Sequence, residues 1–333
     1  MFTNNSKRWL WGMPVLLILV VLLYGCPSQQ QMSGTGDAAS KVYVAPGEHD
    51  AYYGFFSGGY SGQMSIYGMP SGRHLYTIPV FSQSPTQGYG YSEETKKMLQ
   101  TSHGFVPWGD SHHPELSQTD GVPDGRWIFI NENNTPRIAR IDLNSFQTDE
   151  IIEIPNSAGN HASSFVTQNT EYVSAATRFS IPMDEENMQN MDVPIDSYAE
   201  NFKGTLSFIK VADDGKMSID FQILVPGFHY DLSHSGKGPS HGWSFFTSYN
   251  SEKANTLLEI NASKNDKDFI AAVNWKRAQE LVDQGAGKMI PGEHRRNWVD
   301  DAHIAQSEVI EEVRILDPRE HEGLIYFLPT PKS

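Results

Sequence analysis

From residue 52 onward the chain is a succession of short apolar runs, many alternating apolar with polar positions, separated by Gly, Pro, Asn and Asp. Such runs lie at residues 63–67, 126–131, 137–142 and 150–154, and again at 205–210, 243–247 and 268–273. A period of two places alternate side chains on opposite faces of a strand, and runs at hairpin spacing form antiparallel sheets. Asp124-Gly125 reads as a turn feeding the run that starts at Arg126, which a polar loop joins to a second run ending at Asp142. Propeller blades have this form and recur at about 40–50 residues. The repeats are irregular and carry no strict Trp-Asp pair. The pattern predicts an all-β chain of four-stranded antiparallel blades, a β-propeller in preference to a sandwich. Residues 275–282 read as a helix stopped at Gly285-Ala286-Gly287, while the acidic, Met-rich 183–198 and the acidic 300–314 read as surface insertions, with Met filling gaps or exposed. The last run gives way to residues 328–333 with no capping element, so a propeller stopping there is expected to be open at an unpaired edge.

Residues 1–26 stand outside this pattern. Lys7 and Arg8 precede an apolar stretch at 15–23 that is short for a membrane span, and Leu23-Tyr24-Gly25-Cys26 looks like a bacterial lipobox with Cys26 as the lipidated residue. An uncleaved anchor is the alternative; Cys26, the 1 cysteine of the chain, falls at the cleavage position. Residues 27–50 follow as a tether, rich in Ser, Gln and Gly up to Lys41, which leaves 51–333 for the sheets. The reading implies export to the periplasm and membrane attachment through Cys26. The net charge of −15 becomes still more negative once Lys7 and Arg8 are removed, which argues against a nucleic-acid partner. A single cysteine also excludes internal disulfides and thiolate metal sites. Any metal must be held by histidine, carboxylate, carbonyl or Met.

Among the 12 histidines, His112 and His113 lead. Neighbours on a regular strand point to opposite faces, but Pro114 pushes His113 toward an extended backbone and removes a donor, which predicts a strand end or bend. That geometry suits two imidazoles converging on a cluster, each on its own metal atom; taken alone, a His-His pair is more often a pair of solvated loop histidines. His161 follows a predicted strand in a small-residue loop, where blade-to-blade spacing could bring it to the pair. Asp110 suits an outer carboxylate that accepts the free ring N–H of a ligand histidine. The segment 227–241, with His229, His234 and His241, reads as a solvated Gly-rich loop, and His49, His74, His103, His294, His303 and His321 show no usable spacing. Residues 249–254 with Asp268 offer hard oxygen ligands of the kind calcium takes.

Several of these blocks together resemble nitrous oxide reductase, the multicopper enzyme family of bacterial denitrification. They are residues 54–62 through 78–81; Gly109-Asp110-Ser111-His112-His113-Pro114 with Thr119-Asp120-Gly121 and residues 124–131; Asn160-His161; and Tyr249-Asn250-Ser251-Glu252-Lys253-Ala254. The likeness runs from about residue 52 to the end, and the leader resembles the Sec-exported branch. It implies a seven-bladed propeller holding a four-copper sulfide cluster (CuZ) through seven histidines, His112, His113 and His161 among them. It also implies calcium on Glu252, Asp268 and the Tyr249 carbonyl, and reduction of N₂O to N₂ and water with a periplasmic cytochrome or cupredoxin as electron donor. The family enzyme is a homodimer. Departing from the pattern, the chain contains neither the other four histidine ligands nor the cupredoxin domain, whose CuA site needs two cysteines. The resemblance is therefore to the N-terminal part, which is expected to be inactive alone. Two other readings are a lipid-anchored propeller that binds without catalysis and a mononuclear metallohydrolase, the latter unsupported by any His-Glu-x-x-His spacing.

Overall fold

The computed structural model describes residues 38–102, 104–157, 159–161, 165–179, 181–182, 202–225, 228–251, 269–293 and 309–329. The described residues fall into two compact units, one of residues 38–52 with 69–72 and the other of the remaining described residues. In the first, a short helix, Ala38–Val42, falls within the segment assigned to the tether, and Ser71 donates from its backbone N–H and its Oγ to the Asp50 carboxylate at 2.9 and 2.8 Å. The sheets and the candidate site belong to the second.

Strands β1 (Tyr52–Ser57), β2 (Gln63–Met69) and β3 (His74–Pro79) form a three-stranded sheet, and β4 (Gln100–Thr101) and β5 (Gly104–Phe105) a small ribbon. The next sheet is the meander β6 (Ser111–Thr119), β7 (Val122–Glu132), β8 (Arg137–Asp142) and β9 (Gln147–Glu153). A third is built on β10 (Gly159–Asn160), β11 (Tyr172–Phe179), β13 (Phe202–Val211) and β14 (Met217–Val225), with β12 (Ile181–Pro182) beside β13. A fourth joins β15 (Phe228–Ser235), β16 (Trp243–Ser251) and β17 (Phe269–Asn274) to β20 (Ile325–Pro329). Between β17 and β20 the chain leaves this sheet. It forms the helix Trp275–Asp283, then β18 (Lys288–Glu293) and β19 (Val309–Leu316), the latter parallel to β14 at the edge of the third sheet.

The alternation seen in the sequence accounts for the stacking. On β7, Ile128 and Ile130 face Met64, Ile66 and Ile78 of the first sheet, while Phe129 between them faces Val173 and Ile209 of the third. On β11, Val173 and Ala175 face the second sheet, and Tyr172 and Ala176 pack with Phe246 and Val273 of the fourth. The two inner sheets thus bury both faces and the first and fourth bury one each, so three apolar seams lie between four successive sheets. Four-stranded antiparallel meanders stacked face to face are the blades of a propeller, and the all-β, propeller-type architecture follows from this order.

Three expectations need correction. The β6–β7 turn is Asp120-Gly121, both left-handed (φ 52° and 75°) as a two-residue hairpin turn requires, and Asp124-Gly125 lies inside β7. The segment around His229 and His234 is a strand, β15. Residues 309–316 are likewise a strand with Val313, Ile315 and Leu316 buried, because β14 and β18 flank it; its charged positions suggested a surface segment. The predicted helix forms, capped by the Asn274 side chain accepting from the Arg277 N–H. Residues 183–198, and 300–308 of the second predicted insertion, lie outside the described residues.

Candidate metal centre

The site sits where the first strands of the second, third and fourth sheets come together. At the head of β6 the pairing with β7 slips between His112 and Glu115, and His113 has a left-handed backbone (φ 44°) immediately before Pro114. The expected bend is present, but His113 is left-handed where the following proline predicts an extended backbone. The bend breaks the alternation of faces, so both rings turn to the same side, with centroids 5.6 Å apart. His161 emerges directly after β10, its backbone N–H donating to the Ala176 carbonyl. Its ring stands edge-on to both others, with centroids 4.7 Å from His112 and 4.5 Å from His113. His161 Nε2 lies 2.9 Å from His113 Nε2 and 3.2 Å from His112 Nδ1. Among the described residues these three form the one group of metal-ligating side chains whose donor atoms converge, all within 4.8 Å of one another.

A carboxylate stands behind two of the rings. Asp231, on β15 where the pairing with β16 slips, receives a short hydrogen bond from His161 Nδ1. This contact places the His161 proton on Nδ1 and directs the Nε2 lone pair at the other two rings. Burial alone raises the Asp231 carboxyl, but the His161 hydrogen bond and the charges of His161 and Arg178, whose Nε is 3.7 Å away, outweigh it and hold the group below its usual range. Asp110, 3 % exposed, brings Oδ1 to 2.9 Å from His112 Nε2, without the alignment of a hydrogen bond. Burial pushes the His113 imidazole down to about 4, and the neighbouring His161 and His112 act in the same direction. The three rings are thus held close together with the His113 imidazole unprotonated, the state in which imidazole binds a metal.

Sequence reading missed Asp231, set aside with its loop-like surroundings, and Glu115. The latter accepts the Val166 N–H at 2.7 Å and the Gln118 Nε2–H at 3.0 Å, tying β6 to the chain just beyond His161. Burial pushes its carboxyl up to about 7. His241 stays apart from the cluster, its Nε2 2.7 Å from Glu171 Oε1. Of the expected calcium ligands, Tyr249 lies on β16, and Glu252 and Asp268 fall outside the described residues, as does Cys26.

Stacked blade-like sheets with three imidazoles converging from their first strands define a propeller-type β protein with a histidine cluster fit for a metal. The chain is 35% identical to a nitrous-oxide reductase of Pseudomonas fluorescens over 257 residues, which is 76% of this chain and 37% of that protein. It is 33% identical to the enzyme of Stutzerimonas stutzeri over 75% of this chain and 37% of the relative, and 39% identical to that of Cupriavidus necator over a shorter 144 residues. The chain is a relative of the nitrous-oxide reductases, and spans about two fifths of the length of the curated relatives it matches. No family model matches it. Among solved structures, hydrazine synthase of Kuenenia stuttgartiensis overlays with a TM-score of 0.41 at 11% identity, covering 70% of this chain and 53% of that one. The Cps50 β-propeller domain of Myceliophteria thermophila gives 0.37 at 8% identity, covering 83% and 63%. Similarities of this size add nothing to what the strand order shows.

Proposed function

We propose that His112, His113 and His161 are copper ligands and that the chain contributes them to a copper–sulfide centre of the CuZ kind, which reduces nitrous oxide. The observation that carries the reading is the convergence of three imidazole nitrogens from two sheets, in a chain related to nitrous-oxide reductases. The donor set fits the metal: neutral imidazole suits copper, and an inorganic sulfide would account for a centre with no cysteine beside it. Three nitrogens cannot complete the coordination of four copper ions, so the cluster needs further ligands.

When bound, such a centre supplies electrons to the substrate, the overall change being N₂O + 2H⁺ + 2e⁻ → N₂ + H₂O. The chain's own residues orient and hold. Asp231 fixes the His161 tautomer so that Nε2 faces the centre, Asp110 backs His112, and the left-handed turn at His113 brings the second ring of the pair to the same side. The low proton affinity of His113 keeps its nitrogen free near neutral pH. Electrons come from a periplasmic donor of cytochrome or cupredoxin type. Calcium on Glu252, Asp268 and the Tyr249 carbonyl, export with anchoring through Cys26, and pairing of the complete enzyme as a homodimer belong to the same proposal. The test is copper-loaded protein carrying His113→Ala: loss of copper per chain and of the optical spectrum supports the reading, and unchanged copper content overturns it.

A further inference from the structure

Beneath the loop that carries Asp110 lies an ion pair with almost no access to water. Glu132, the last residue of β7, is 0% exposed and Arg137, the first of β8, is 1% exposed. One Glu132 oxygen accepts the Arg137 Nε–H in a short contact, and the other accepts the Thr135 N–H at 3.3 Å. The same carboxylate also receives the backbone N–H of Asp110. The Asp110 carbonyl in turn accepts the Asn133 N–H at 3.0 Å, so the peptide groups on both sides of Asp110 are held by the turn that joins β7 to β8. Gly109 crosses directly over the carboxylate: a Cβ there would lie 2.4 Å from Glu132 Oε1 and 2.6 Å from the Phe81 Cβ. Arg137 is fixed in its turn, its guanidinium 5.1 Å from the centre of the Phe81 ring. The result is an Asp110 carboxylate set 2.9 Å from His112 Nε2.

As a source of stability a buried ion pair is poor, since desolvation cancels most of the attraction and two apolar residues of similar size often serve as well. What apolar residues cannot do is accept the Asp110 N–H. We propose that Glu132, held by Arg137, is a positioning residue for the metal centre. It fixes the backbone at Gly109 and Asp110, and through it the Asp110 carboxylate and the His112 ring. The proposal rests on reading His112, His113 and His161 as copper ligands.

Three variants test it. E132L/R137M removes both buried charges together. G109A leaves the pair intact and pushes the loop off the carboxylate. E132Q keeps an oxygen able to accept the Asp110 N–H. Each purified chain is titrated with Cu(II) against a competing chelator and examined by electron paramagnetic resonance. The metal-free proteins are melted, and the imidazole nitrogens are observed by long-range ¹H–¹⁵N NMR. For E132L/R137M and G109A, copper affinity is expected to fall about tenfold or more, the size typical for loss of a group behind a metal ligand. The His112 nitrogen signals should shift while those of His241 stay. E132Q should hold closer to the parent protein. Folded E132L/R137M or G109A protein with parental affinity and unmoved His112 signals would overturn the proposal. If the parent chain binds no copper, it is the copper reading that fails, and the His112 signals of the metal-free variants still decide the positioning role.

Discussion

Replacing Asp231 by alanine removes the one hydrogen-bond partner that orients His161 from behind. In the intact protein the carboxylate holds the proton on Nδ1, and its charge makes Nε2 a better donor to a metal. A charge-assisted hydrogen bond of this kind contributes roughly 1.5–3 kcal/mol. Groups behind a ligand histidine typically contribute about 10–100-fold in metal affinity, equivalent to about 1.4–2.7 kcal/mol. The two ranges overlap, so the orienting contact alone accounts for a loss of at least about tenfold in copper affinity. Arg178, 3.7 Å from the same oxygen, loses an ionic neighbour as well, which adds to the cost in the metal-free protein. Competitive copper titration of Asp231→Ala beside Asp231→Asn measures this directly. The asparagine oxygen can still accept the Nδ1 proton without the charge, so its loss should lie between those of the parent and the alanine variant. An Asp231→Ala protein that folds and binds copper within about twofold of the parent, well inside the range typical of such groups, would refute the reasoning.

Other outcomes follow from the same structure. Asp124 accepts from Ser117, Thr119 and Arg126 within the β6–β7 hairpin, and although burial opposes them these bonds hold its carboxyl down to about 2, below its ordinary value of 3.8. The unfolded chain therefore takes up a proton first, so this contribution to stability is complete above about pH 4 and is lost as the pH falls toward 2. Denaturant titrations should show the difference between the parent and Asp124→Asn shrinking over that interval. Phe208 is fully buried in the seam between the third and fourth sheets, with its ring centre 5.0 Å from that of Phe221. Phe208→Ala should cost about 3–5 kcal/mol in equilibrium unfolding, as expected for removing a large core aromatic. Apart from the structure, the proposed lipid anchor predicts that Cys26→Ser abolishes labelling with a radioactive fatty acid.

Much of the architecture was legible because the period of two survives where a strand buries one face, as in β2, while strands buried on both faces, as at residues 128–130, read as short continuous apolar runs. The histidine pair was legible for a local reason, a proline after two adjacent histidines that marks a bend; the left-handed backbone of His113 was not, since a following proline favours an extended residue. His161 could be proposed because the stacking of sheets brings residues 48 positions apart into contact. Asp231 was not legible. Two slips of register in β15 break the alternation of Phe228-His229-Tyr230-Asp231, and its polar, glycine-flanked composition suggests a loop. Glu132 and Arg137 were hidden differently, since charges at the ends of strands normally face solvent, and only the packing of Phe81 and Gly109 over them puts this pair inside. In β19 the charges Glu311, Glu312 and Arg314 masked a strand held between β18 and β14, the latter far away in the chain.

The central claim is that three imidazoles from two sheets bind copper together. X-ray absorption on the copper-loaded chain, set beside the protein with His112, His113 and His161 all replaced by alanine, tests it most directly. The account predicts copper–nitrogen scattering with the outer-shell signature of imidazole in the parent, and its disappearance in the triple variant with the fold retained. Equal copper content and an unchanged spectrum in the two proteins would contradict it.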